Sequence, residues 1–297
     1  MTGVGMKKDL GHEMNSTIRK GIEKRGLEDI FFPEDLELSA RSIDKADSVM
    51  IITGFCVKSA MAGETDGPLG AVSLAGALRS LGKKVVIVTD EFSLGIINAG
   101  LEERRVGASL ESVRKGEESI LSKTLIDKYK PDHIVSIERT GRSSDGNSYS
   151  MRGEILNDII PQLDDLFIEA GKRGIATTAV GDGGNEIGMG KVKGQKRRKI
   201  YLGETIWCET PSDYLIAASV SNWGGHALAA CIGALNGRLL LHDREKEKDV
   251  LRSIVDAGSV DGCTRKNEMT VDGLSLEKNL EIIDELRRIV KEYLQEI

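Results

Sequence analysis

The amino-acid sequence predicts a three-layer α/β fold, a mostly parallel sheet with helices on both faces. Two patterns lead there. Five short apolar runs, most of them rich in β-branched residues, recur along the chain, as expected of strands covered on both sides. Segments of helical periodicity separate them, and strand–helix alternation calls for parallel crossovers. The strands are expected at Ser48–Thr53 (SVMIIT), Lys84–Thr89 (KVVIVT), His133–Ile137 (HIVSI), residues 175–180 (IATTAV) and residues 214–220 (YLIAASV). The last run is alanine-rich and would also suit a buried helix. Helices are expected at residues 70–81, 116–130, 151–173 and 225–236. A closing amphipathic helix follows at 276–297, with Leu280, Ile283, Leu286, Ile289, Val290 and Leu294 on one stripe. Residues 1–45 lack any strand signal and read as a helical lead-in. We expect one α/β domain over 1–297, with its strand–helix core and site loops at 46–240 and a C-terminal extension with the closing helix at 241–297.

Composition narrows the class. The chain has 297 residues, 40% of them hydrophobic, enough for a sizeable core and too many for a disordered chain. Its 41 Lys+Arg against 47 Asp+Glu leave a net charge of -6, which argues against coating nucleic acid or an anionic membrane. No run approaches the ~20 apolar residues of a membrane span, and residues 1–10 lack the apolar core of a signal peptide. The expectation is therefore a cytoplasmic protein. Cys56, Cys208, Cys231 and Cys263 lie far apart, so neither a zinc ribbon nor a disulfide framework is expected. Cys56 follows the first strand but has no histidine motif beside it, and reads as a buried thiol.

The unusual chemistry sits just past the strand C-termini, the edge where open α/β sheets bind ligands. Residues 181–190 (GDGGNEIGMG) hold five glycines around Asp182, Asn185 and Glu186. Such a loop can bring backbone N–H groups and two carboxylates around a small ligand, or simply make a tight capped turn. It lacks the dinucleotide pattern GxGxxG, and no Walker loop follows residues 64–68 (ETDGP), so no nucleotide is expected; nor is pyridoxal phosphate. Glu64 and Asp66 precede a helix whose N-terminus suits an anion, or merely cap it. Glu138 and Arg139 end the third strand, with Arg142 and Asp145-Gly146-Asn147 beyond; a guanidinium there can clamp a carboxylate, or the stretch is a surface turn. Residues 221–226 place Ser221, Asn222, Trp223 and His226 on what reads as one loop, although a lone Trp or His is more often packing. Residues 191–199 (KVKGQKRRK) are strongly basic; with a net acidic chain and no aromatic platform they read as a solvated loop, not an RNA site.

Taken together, ETDGP, ERxGRxxDGN, GDGGNEIGMGKV and SNWGG resemble the D-glutamate cyclase family. The resemblance runs from about Ala46 to Gly273 and adds Asp261-Gly262 and residues 270–273 (TVDG). The chain departs from the family pattern at Ser148 and His226, where aromatic residues are common, and has no room for the large N-terminal module of the vertebrate members. The resemblance implies reversible cyclisation of D-glutamate to 5-oxo-D-proline with loss of water. That chemistry needs a base for the α-amine, stabilisation of a tetrahedral oxyanion and a proton for the departing hydroxide. Asp182, Glu186 and Glu138 are the expected catalytic residues. Glu64, Asp66, Arg139, Asn147, Asn185, Ser221 and Asn222 are expected to bind substrate, with Arg139 holding a carboxylate and Glu64 and Asp66 the ammonium group. The surplus of carboxylates suggests that Glu138, Asp182 and Glu186 hold a divalent cation, Mg²⁺ or Mn²⁺. The expected partner is a small anionic substrate, with no nucleic acid or membrane, and a homo-oligomer is compatible. Two other readings remain open: a metal-dependent hydrolase of another small anion such as a phosphate ester, and a non-catalytic receptor for acidic amino acids.

Overall fold

A computed structural model describes residues 9–192 and 200–296. Six strands, β1 (Ser48–Thr53), β4 (Lys84–Thr89), β5 (Ser109–Ser112), β6 (His133–Ile137), β7 (Ala176–Gly181) and β8 (Tyr214–Ala217), form one parallel sheet in the order β5-β4-β1-β6-β7-β8. The three-layer α/β expectation holds. Two antiparallel hairpins, β2 (Cys56–Val57) with β3 (Ala62–Gly63) and β9 (Thr270–Val271) with β10 (Leu274–Ser275), stand outside the sheet.

Alternation along the strands decides the layers. Val49 and Ile51 of β1 face a core shared with α1 (Leu10–Ile18), α2 (Asp35–Lys45), α3 (Pro68–Ser80), α4 (Glu91–Glu103), α8 (Ser221–Leu235), α9 (Arg244–Asp256) and α10 (Leu276–Glu296). Met50 and Ile52 face the opposite core, with α5 (Glu118–Tyr129) and α6 (Asp164–Arg173). A short α7 (Gly203–Ile206) lies between β7 and β8. The topological switch falls between β1 and β6. From β1 the chain crosses to β4 on one side, and from β6 it moves to β7 on the other.

Several expected boundaries move, each for a physical reason. Strand β5 is a half-exposed edge strand whose sequence, SLES, carries no apolar run to announce it. Helices α4 and α9 begin at ordinary aspartate caps: Asp90 accepts from the N–H groups of Phe92 and Ser93, and Asp243 from that of Lys246. Residues 151–163 are turns rather than helix, because Pro161 lacks a donor and Gly153 takes φ +78°. Residues 221–225 are not a loop: they open α8, and β8 ends at Ala217. Their glycines serve close packing, since a Cβ on Gly225 would lie 2.7 Å from the Cα of Gly70 on α3. Of the basic stretch 191–199, residues 193–199 lie outside the described residues. No helix among the described residues is long and apolar enough to cross a membrane.

Candidate active site

A cavity of about 190 Å³ opens at the carboxyl ends of β1, β6 and β7, beside the switch point. It is smaller than the ~300 Å³ and above typical of drug-sized ligand sites, and so suits a metabolite of a few carbons. Its walls include Glu64, Glu138 and Asp182 from the segments after those three strands, Arg25 from a 3₁₀ turn before α2, and Asp272 from the β9–β10 turn. Segments around residues 55–58, 150–154 and 262–263 contribute the rest of the lining, Arg152 and Lys58 among it.

Each carboxylate is placed by local backbone. Glu138 directly follows β6 at φ +46°, a left-handed conformation that costs a non-glycine residue about 1–3 kcal/mol and is held by the surrounding structure. Its Oε2 accepts a hydrogen bond from Ser221 Oγ at 2.5 Å. Asp182 follows β7 and meets Arg25 Nη2 at 2.9 Å; the same nitrogen bonds Asp272. Asp272 and Gly273, at φ +53° and +72°, form the two-residue turn that joins β9 to β10. Asp261 pins this turn by accepting from the Gly273 N–H at 2.8 Å.

Asp66, Glu138 and Asp182 can each bring one carboxylate oxygen within 4.8 Å of the others, and all three are buried. The electrostatics follow from that crowding. Burial first, then Glu138, Asp272 and Asp66, lifts Glu64 well above the usual carboxylate range. Burial, Glu186 and Asp66 lift Glu138 likewise, against the opposing Ser221 bond. Asp182 also rises through burial and its acidic neighbours, although Arg25 pulls the other way. Asp66 is pushed up to about 8 by burial and Asp272, against the N–H groups of Asn222 and Ser221. Burial disfavours the Arg25 cation, but Asp182, Asp272 and Asp66 outweigh it and hold the charge in place.

Asp66 also has a scaffold role, and the remaining sequence candidates are tied into the scaffold. Asp66 and Asn222 cap each other's helices. Asp66 accepts from the N–H groups of Ser221 and Asn222 at the start of α8, while Asn222 Oδ1 accepts from those of Gly67 and Gly70 at the start of α3. The Asn222 amide nitrogen goes to the Thr65 carbonyl, so the side chain faces its own scaffold rather than the cavity. Glu186 fills the glycine loop itself: its carboxylate accepts from the N–H groups of Asp182, Gly183 and Gly184 at 2.9, 2.6 and 2.7 Å. The anion cradle legible in GDGGNE is real, and its anion is the chain's own. Asn185 donates to the Tyr149 carbonyl. Asn147 lies half-buried in the Asp145 turn and bonds Asp145. Arg139 is fully buried, paired with Asp90 and donating to the carbonyls of Gly54 and Pro161. Neither these three nor Glu186 lines the cavity.

Arg25, Asp272 and Arg152 line it and had no place among the expected residues. Asp272-Gly273 carried a usable signal, since Asp-Gly between short strand-like runs marks a hairpin. Arg25 and Arg152 carried none. Cys56 is buried, its thiol pushed up to about 12 by burial and by Asp90, as befits a packing residue.

A parallel sheet with a small, carboxylate-rich cavity beside its switch point defines a class: α/β proteins with a site for a small polar ligand. Comparison with known proteins specifies the family. Residues 14–287 match the family model described as "D-glutamate cyclase-like, C-terminal", and the chain belongs to that family. It is 37% identical over 239 residues to the human protein named "D-glutamate cyclase, mitochondrial". That alignment covers 74% of this chain and 38% of the human protein, so the match involves well under half of the relative's length.

Proposed function

We propose that this chain interconverts D-glutamate and 5-oxo-D-proline plus water, as a hydro-lyase. The observation that carries the reading is the set of buried carboxyl groups in one small cavity, raised by burial and mutual repulsion, inside a chain of this family. Cyclisation forms the C–N bond and breaks a γ C–O bond. Two protons must pass from the ammonium nitrogen to the departing oxygen. A carboxyl held above its usual range by burial and like charges can carry them, because it keeps a proton that it can give and take back. Glu64 fits that role: it lines the cavity, and its carboxyl is raised by burial and three acidic neighbours. The acidic walls favour the substrate ammonium group before it is deprotonated. Ser221, bonded to Glu138, holds that carboxylate against the cavity wall.

The donor chemistry of Asp66, Glu138 and Asp182 fits a hard divalent cation, with oxygen ligands only and three acidic groups around one point. Mg²⁺ or Mn²⁺ held there would supply positive charge to the oxyanion of the tetrahedral centre. Glu186 lies outside that three-oxygen cluster, its own oxygens committed to three backbone N–H groups. The same commitment weakens the phosphate-ester reading, because the loop's N–H groups are not free for a phosphate.

The test is proton NMR of the purified protein with D- and L-glutamate and each 5-oxoproline, with Mn²⁺, with Mg²⁺ and after EDTA. Conversion confined to the D-pair, lost with EDTA and restored by metal, is the expected result. No conversion in either direction by the folded, metal-supplied protein would refute the reaction, and full activity after EDTA would refute the cation.

A further inference from the structure

Among the described residues, three cations line the cavity: Arg25, Lys58 and Arg152. Two are spent on the protein itself. Arg25 binds Asp182 and Asp272. Lys58 Nζ meets both oxygens of Asp158 at 2.9 Å and donates to the Ile155 carbonyl at 2.7 Å.

Arg152 differs. Its guanidinium donates only to the carbonyls of Gly262 and Cys263, at 3.4 and 3.2 Å, and makes no ion pair among the described residues. Those bonds are long, and a carbonyl carries no neutralising charge. The nearby Glu154 carboxylate is turned to Ser150 Oγ at 3.0 Å. The backbone under Arg152 is nonetheless fixed, because Ser150 Oγ also accepts from the Arg152 and Glu154 N–H groups. Among the described residues the cavity therefore has an acidic floor and, at its mouth, a guanidinium on fixed backbone without a counter-ion.

We propose that Arg152 receives the substrate carboxylate that survives the reaction; the assignment rests on the cyclase reading above. D-Glutamate and 5-oxo-D-proline share their α-carboxylate, while the γ-carboxylate is consumed as the lactam forms. An ammonium group directed to the floor and a carboxylate directed to the mouth give a zwitterion one orientation. Arg152 matches the planar carboxylate through its fork of N–H groups. Since the same anion is present in substrate and product, the contact contributes uniform binding, felt in KM rather than kcat.

The experiment is calorimetric titration of 5-oxo-D-proline and its carboxamide into the wild type, Arg152→Met and Arg152→Lys, alongside KM and kcat for D-glutamate. Arg152 is exposed, and an unchanged melting midpoint controls for folding. The wild type should prefer the acid over the amide by about 10- to 100-fold, the scale of a charge-assisted hydrogen bond. Arg152→Met should lose that preference and raise KM by a similar factor, leaving kcat within about threefold, and Arg152→Lys should keep part of it. An acid preference that survives Arg152→Met, or a wild type that shows none, overturns the assignment. A wild type with an Arg152-dependent acid preference but no turnover refutes the reaction and keeps the receptor. Turnover with an unchanged KM in Arg152→Met does the reverse.

Discussion

Glu186→Gln separates the two roles that a glycine-rich acidic loop can play. The Glu186 side chain is fully buried, and its two oxygens take three backbone N–H groups from residues 182–184. A glutamine offers one acceptor oxygen. In its best orientation the oxygen serves Asp182 and Gly183, and the new NH₂ group confronts the Gly184 N–H. One charge-assisted bond is lost, two become neutral, and one buried donor is left without a partner. Hydrogen bonds to charged groups contribute roughly 1.5–3 kcal/mol and an unpaired buried group costs about 1–3, so the substitution should destabilise by about 3–5 kcal/mol. At about 2–4 °C per kcal/mol for a chain of this size class, the melting midpoint should fall by roughly 6–20 °C. Asp182→Asn removes a cavity carboxylate while leaving Arg25 its bond to Asp272. It should melt within about 2 °C of the wild type, because the loss of one ion pair is offset by relieved repulsion, and it should lose turnover by roughly 100-fold or more. Circular dichroism melts and D-glutamate turnover of the two variants decide the matter. A Glu186→Gln protein that melts with the wild type but has lost turnover would refute the scaffold role.

Two further tests address the scaffold. Gly225→Ala directs a Cβ onto the Gly70 backbone, which has no side chain to move aside, so despite better helix propensity it should cost about 1–3 kcal/mol in a urea melt; equal or greater stability would contradict the close α3–α8 contact. Glu247 bridges His226 and His242 at 3.1 and 2.5 Å in a buried cluster that Arg104 also faces, and burial, opposed by Glu247, pushes His242 down to about 4. A histidine held neutral in the fold charges on unfolding, so its contribution to stability is present above about pH 6.5 and declines as pH falls towards 4, by about 3 kcal/mol. The raised cavity carboxyls act in the opposite sense on acidification, so the readout is the difference between wild type and His242→Gln, which should narrow from pH 7 to 4.5; a constant difference would remove His242 from the pH dependence.

Much was legible in the chain because short-range patterns encode it. All five strand runs (the last ending at Ala217), the amphipathic stripe of α10 and the position of the chemistry past the strand ends follow from which residues alternate and which interrupt. What the patterns could not say is which polar groups meet each other. Glu186 and Asp182 look equivalent in GDGGNE, yet backbone curvature turns one into its own loop and the other into the cavity. Asn222 looks like a ligand group until α3 and α8 are seen side by side, its amide oxygen spent on the start of α3. Arg139 looks like a carboxylate clamp and is buried against Asp90, whereas the cavity arginines come from a 3₁₀ turn and an irregular segment without motif. By itself the sequence determined the layered parallel sheet, the family and the edge that carries the site. The tertiary structure alone decided which carboxylates face the cavity and which of its arginines makes no ion pair among the described residues. The reason is that strand and helix periodicity are local properties of the chain, while desolvation and ion pairing depend on segments far apart in sequence, here residues 25, 64, 138, 152, 182 and 272, arriving at one point.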